Sequence, residues 1–197
     1  METIQKPSWN TLWYLVAIPG GDLLIEAQRL QQVLATSYNL YTGTPPPLHI
    51  TICTIRPVAK ERIPYINNII ETTLDAHDPI RVTAEDYQCF FAQHNSLVLK
   101  LKENQALSKL QKNLIGNLTE INVLEPSPIK EWIFHITLIS QLFAKTHITQ
   151  REFQNICSRL SLTNRKISGN LVKIELWRPS LEENQRVISS FPLQPTL

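Results

Sequence analysis

Two histidines are placed to do acid–base chemistry, and the sequence presents both in the same way. His49-Ile50-Thr51 lies inside an apolar string at 48–55, and His135-Ile136-Thr137 inside another at 132–139. Each string follows a proline-containing loop, at 42–47 and 125–128. Side chains alternate across a strand, so His49 and Thr51 share one face while Ile50 and Ile52 take the other. In the second string His135 and Thr137 face one way, and Phe134, Ile136 and Leu138 the other. The apolar faces suit a core covered by helices, which leaves the His-Thr faces to line a groove. An imidazole ordinarily titrates near 6.5, so of two histidines flanking one substrate atom, one can be neutral and the other protonated. The neutral ring draws a proton from water or a ribose hydroxyl, and the protonated ring gives one to a leaving oxygen. The threonine hydroxyls can hold non-bridging phosphoryl oxygens and keep the phosphorus in line. A single His-Ile-Thr would carry little weight, since threonine is common in strands. Two copies on equivalent strands favour catalysis or ligand binding over a structural role.

The elements that must position these residues also repeat. His135 follows His49 by 86 residues, and Thr149 follows Ile63, each at the start of a helix-like stretch, by the same 86. Ser96 follows Leu12, each near the start of a strand-like run, by 84. One offset shared by three elements argues for two related halves, about 12–91 and 96–193, packed about a pseudo-twofold axis. Each half reads β-α-β-α-β. Apolar residues recur at helical spacing through 23–38, 61–75, 104–119 and 148–160, and strand-forming runs lie between them. The expected fold is therefore α+β. It is one bilobed domain over 1–197, with mainly antiparallel sheets around a central cleft and helices outside. Asp22 is the expected N-cap of the first helix and Thr149 that of the fourth. Gln93-His94-Asn95 reads as a hairpin turn. Strands at 169–178 and 186–193 close the chain around a polar turn.

Composition narrows the rest. The chain has 197 residues, 43% of them apolar and 18% charged, which is ordinary for a globular protein. A net charge of +2 and no basic stripe argue against binding to long duplex nucleic acid. Three cysteines, at 53, 89 and 157, are odd in number and widely spaced. Reduced thiols in a cytoplasmic protein are expected, with Cys53 a buried, inert one. The first ten residues carry no charged-then-apolar signal pattern, and no run approaches the roughly 18 apolar residues of a membrane span. His77, His94 and His147 fall in loops or turns and read as surface residues. No third and fourth ligand stands at metal-site spacing from His49 and His135, so neither a metal nor another cofactor is expected.

The doubled motif, in HITI at 49–52 and HITL at 135–138, resembles the paired His-x-Thr motifs of the 2H phosphoesterase superfamily, over nearly the whole chain. The branch it is most similar to is that of the bacterial RNA 2′,3′-cyclic phosphodiesterases, also called 2′-5′ RNA ligase-like. The resemblance implies that His49 and His135 are the acid–base pair and that Thr51 and Thr137 bind phosphate. It also implies a bilobed α+β fold, a metal-free reaction, and a substrate with a cyclic phosphate or 2′-5′ linkage on an RNA end or nucleotide. In the acid–base assignment adopted here His135 activates water and His49 protonates the leaving ribose oxygen. Many RNA-acting members carry a basic residue soon after the second motif; here the chain reads LISQL, and Lys145 is the nearest. Arg56, Tyr14 and Arg178 are candidate substrate contacts, with Trp177 more suited to core packing. A monomeric enzyme is expected. A binding module for nucleotides or RNA ends, and a hydrolase of cyclic oligonucleotide signals, are the alternatives.

Overall fold

A computed structural model describes residues 11–91, 95–126, 132–161 and 166–193. The turn expected at Gln93 and His94, and the loop beyond residue 126, lie outside the described residues, as does the N-terminal decapeptide. The first half runs β1 (Trp13–Pro19), α1 (Gly21–Ser37), β2 (Ile50–Ile55), α2 (Ile63–Asp75) and β3 (Arg81–Phe90). The second runs β4 (Ser96–Leu101), α3 (Gln105–Glu120), β5 (His135–Ser140), α4 (Gln150–Ser161) and β6 (Ile167–Trp177). A short helix α5 (Glu183–Arg186) and a last strand β7 (Val187–Pro192) extend the second half alone.

Local chemistry accounts for where the helices begin. Asn104 caps α3 through a bond from the Leu107 amide to its side-chain oxygen, at 2.9 Å. Thr149 and Glu152 form the reciprocal pair that opens α4, the expected cap. Asp22 is not the cap of α1. That helix starts at Gly21, and the capping position is Gly20, which makes no side-chain bond. Gly21 has φ +63°, a turn that glycine makes without strain, and it admits the helix earlier than the apolar pattern implied. Asp22 instead lies in the first turn, where its charge faces the positive end of the helix.

The strands pair antiparallel in the order β1-β2-β5-β4-β3-β6-β7, and β1 also pairs with β6. The first six pairings thus return to their start, through a β6 that meets β3 along 167–170 and β1 along 171–177. Exchanging β1 with β4, β2 with β5 and β3 with β6 leaves this ring unchanged. That is the pseudo-twofold symmetry expected of the repeat. Its axis passes between β2 and β5, whose registered pair is Ile50 and Ile136, again 86 residues apart. Gly169 is needed for the ring to close, because a Cβ there would collide with the Gly20 carbonyl oxygen at the end of β1.

The core lies between the strands and helices. Leu15, Ile50, Ile52, Ile136 and Leu138 from the strands meet Leu23, Ala27, Ile66, Ile70, Leu107 and Leu114 from the helices, all fully buried. Each such leucine or isoleucine side chain contributes about 1.5–3 kcal/mol on burial. The expectation of three reduced thiols is corrected: Cys89 on β3 is disulfide-bonded to Cys157 on α4, with Cα atoms 6.2 Å apart. Packing of α4 onto β3 brings together thiols that are 68 residues apart in sequence. Cys53 is free and buried, and burial pushes its thiol up to about 12, so it is inert as expected. Among the described residues no helix is long and apolar enough to cross a membrane.

Candidate active site

The Ile50–Ile136 pair dictates the geometry of the four motif residues. Both isoleucines are fully buried, so their neighbours along each strand point to the opposite face. Carrying the antiparallel register outwards sets His49 across from Thr137 and Thr51 across from His135. The two histidines are then diagonal neighbours about the axis, within reach of one bound group. All four side chains are partly exposed, whereas Leu48, Ile52, Phe134 and Leu138 on the other face are buried. Val16 and Val98 pair with Thr51 and Thr137. Both are fully buried but stand outside the main core cluster, as residues beneath a cleft would.

Each imidazole is held in the same way. His49 Nδ1 lies 2.9 Å from the Pro47 carbonyl oxygen, and His135 Nδ1 lies 2.8 Å from that of Ile133. A carbonyl only accepts, so Nδ1 carries the proton and Nε2 is left to take or give one. Aromatic rings fix the planes, and they cross between the halves. Trp177, the last residue of β6, meets His49 edge-on at 4.8 Å. Phe90, the last residue of β3, meets His135 edge-on at 5.2 Å. Strand exchange about the axis converts one contact into the other.

Two buried glutamines repeat the crossing. Gln31 on α1 donates to the carbonyl of Leu138 on β5, and Gln111 on α3 donates to that of Ile52 on β2. In each case the acceptor stands three residues after the motif histidine, on the strand of the other half.

Burial sets the proton affinities. It pushes the His49 imidazole down to about 4, against a rise from the Pro47 carbonyl, and the charges of His135 and Arg186 push the same way as burial. His135 is also lowered by burial, with the Ile133 carbonyl opposing. In the free protein both rings are therefore neutral near pH 7. An anionic phosphate between them would raise both.

The symmetry ends beside His49. A cavity of about 400 Å³ opens there, lined by His49 and Thr137 together with Tyr14, Tyr41, Trp177, Arg178 and Arg186. Tyr14 and Arg178, the candidate substrate contacts, both line this cavity. Trp177 is buried, as core packing required, yet it also walls the cavity. Its indole N–H donates to Glu175 at 2.7 Å. Burial raises the Glu175 carboxyl, but bonds from Lys173, Trp177 and Ser190 outweigh that and hold it below the usual range. Arg56 is not part of the site. Its guanidinium donates to the Leu124 carbonyl at 2.7 Å and pairs with Glu125 at 3.4 Å, at the far end of β2. There it closes the strand. Arg186 was missed by sequence reasoning, because nothing in its spacing ties it to either motif. His77 sits in the loop between α2 and β3 beside Asn113, as its surface reading required. Among the described residues, no group of three or more His, Cys, Asp or Glu side chains is placed to hold a metal ion.

The family model of the 2′-5′ RNA ligase superfamily matches residues 20–182. The chain belongs to that superfamily, the 2H phosphoesterases. It is a superfamily of phosphoesterases and ligases, which makes this chain an enzyme by descent. The fold agrees. TT0787 of Thermus thermophilus superposes with a TM-score of 0.66 at 14% identity, over 92% of this chain and 97% of that one. LigT of E. coli complexed with 3′-AMP gives 0.60 at 12% identity, over 94% and 99%. Usb1 of Kluyveromyces marxianus with uridine monophosphate gives 0.50 at 12%, over 94% and 100%. No curated protein is matched by sequence. At such identities the solved structures speak for the 2H fold alone.

Proposed function

We propose that this protein is a metal-independent phosphodiesterase that opens a 2′,3′-cyclic phosphate, or cleaves a 2′-5′ linkage, on a nucleotide or RNA end. One observation carries the reading: His49, Thr51, His135 and Thr137 surround a twofold axis with both Nδ1 atoms tied to carbonyls and neither Nε2 atom hydrogen-bonded among the described residues. A phosphodiester suits such a frame, because its two non-bridging oxygens are equivalent and can each meet one threonine hydroxyl. The lopsided cavity gives the reaction its direction. A nucleoside fits beside His49, among Tyr14, Tyr41 and Trp177, which puts the leaving ribose oxygen on the His49 side. Neutral His135 then takes a proton from water as the water oxygen attacks phosphorus. The phosphorus–ribose oxygen bond breaks, and protonated His49 gives its proton to that oxygen. The two imidazoles thus exchange protonation states in each turnover, and solvent resets them.

The test is to incubate the protein with each nucleoside 2′,3′-cyclic phosphate in EDTA and identify the product by chromatography. A single nucleoside monophosphate isomer is expected. Tight binding without any product would overturn the hydrolytic reading and leave a nucleotide-binding module. Activity confined to cyclic oligonucleotides would move the substrate to that class. Activity lost to EDTA and restored by a divalent metal would contradict the metal-independent mechanism.

A further inference from the structure

The twofold elements account for one phosphate and the cavity beside His49 for a nucleoside, and other features there that break the symmetry have no work in that account. Foremost among them is Arg186, supplied by the α5–β7 extension that the first half lacks. Its guanidinium carbon lies 4.7 Å from the centre of the Trp177 ring. Trp177 in turn packs on His49, so the cation stands one ring removed from the acid–base pair and off the axis. One N–H is used in donating to the Leu181 carbonyl at 2.8 Å, which fixes the head group. Nε is buried with no hydrogen-bond partner among the described residues. A desolvated N–H of a charged group costs stability unless something accepts from it. Arg186 also lines both the cavity beside His49 and a second, of about 600 Å³, behind Trp177. Its side chain therefore borders the side where the nucleoside sits.

We propose that Arg186 is a specificity residue that binds a second phosphate, the one on the 5′ oxygen of the nucleoside whose 2′,3′-phosphate lies between the histidines. This rests on the phosphodiesterase reading above. Three points select that ligand. Arginine pairs with phosphate oxygens through a planar fork of donors. Its off-axis place rules out the reacting phosphate, which the twofold threonines hold. Its side of the axis is the side with room for a nucleoside. No basic residue follows the second motif closely, so this cation from the end of α5 supplies positive charge that the motif strands lack. The second phosphate has two sources, a terminal 5′-monoester or the next linkage of an RNA chain.

Calorimetry on the full chain separates the cases without requiring turnover. The ligands are a nucleoside 3′-monophosphate, the matching 3′,5′-bisphosphate, and a dinucleotide ending in a 3′-phosphate. The wild-type protein is expected to bind at least one of the last two about tenfold more tightly than the monophosphate. Arg186→Gln should reduce that advantage to about threefold or less, with a smaller loss in monophosphate affinity than in affinity for the second-phosphate ligand. Arg186→Lys, which keeps the charge and loses the fork, should fall between. A gain confined to the bisphosphate assigns the terminal monoester, and one confined to the dinucleotide assigns the RNA linkage. Equal wild-type affinity for all three ligands, no binding of any, or uniform weakening by Arg186→Gln would overturn the proposal. The last result would mean that Arg186 only props Trp177. If the bisphosphate advantage depends on Arg186 while no cyclic phosphate is turned over, the phosphodiesterase reading fails alone. If plain cyclic phosphates are hydrolysed with no preference for a 5′-phosphate, this inference fails alone.

Discussion

At the scale of the residue, the two imidazoles are alike in tether and unlike in surroundings. His49 is the more strongly depressed, at about 4, because burial is joined by the nearby charges of His135 and Arg186. The proposed mechanism makes His49 the acid, and an acid must be protonated before it can act, so His49 must gain its proton when substrate arrives. The sign follows directly. In the free protein at pH 6 His49 is neutral, and a bound phosphate raises its affinity for a proton. Binding of a 3′-5′ dinucleoside monophosphate, whose diester does not titrate near pH 6, should therefore take up protons, which calorimetry in buffers of different ionisation enthalpy measures. His49→Ala should reduce that uptake, and proton release by the wild-type protein would refute the direction. The threonines make a second prediction. Thr51→Val and Thr137→Val each remove one donor to a non-bridging oxygen while keeping the side-chain shape. Steady-state kinetics should show kcat/KM lowered by about 10²-fold in each, with the folded structure intact by circular dichroism. Unchanged kinetics in both would mean that the hydroxyls do not hold the phosphate.

Elements position these residues by reaching across the axis. Gln31 and Gln111 are buried side chains whose only role in the described contacts is to donate to loop or strand carbonyls, above all those of Leu138 and Ile52. Replacing either by leucine leaves a buried carbonyl without its donor, a loss of about 1–3 kcal/mol in urea unfolding. The same change should lower kcat, because each acceptor sits on a strand that carries a motif. A stability change within about 0.5 kcal/mol of zero would show that the strands are held by packing alone. These helix-to-strand bonds explain part of what the sequence could not convey. Alternation within β2 and β5 was readable, because buried isoleucine and leucine interleave with histidine and threonine. The partners of those strands were not, because a glutamine at helical spacing looks the same whether it faces solvent or a carbonyl. Arg56 shows the converse error: proximity to a motif in sequence placed it near phosphate, whereas the strand carries it to the opposite end. Cys89 and Cys157 look like separate thiols in the sequence for a similar reason, since spacing is silent about which helix lies on which strand.

For the molecule as a whole, the proposed chemistry rests on duplication and the proposed selectivity on its breakdown. The 86-residue offset seen in the sequence reappears as the Ile50–Ile136 pair, so the axis itself was legible before any coordinates. Crossed contacts were not. Trp177 of the second half orients His49, and Phe90 of the first orients His135, which means that neither half alone completes a site. The extension through α5 and β7 then helps to line a cavity beside His49 and brings a cation to it. The central claim is that the two motif histidines form one acid–base pair. Its most direct measurement compares His49→Ala, His135→Ala and wild-type protein on a nucleoside 2′,3′-cyclic phosphate with EDTA present. The account predicts that wild-type activity persists in EDTA and that each variant loses about 10²–10⁴-fold in kcat while remaining folded. Wild-type turnover by either variant would contradict it.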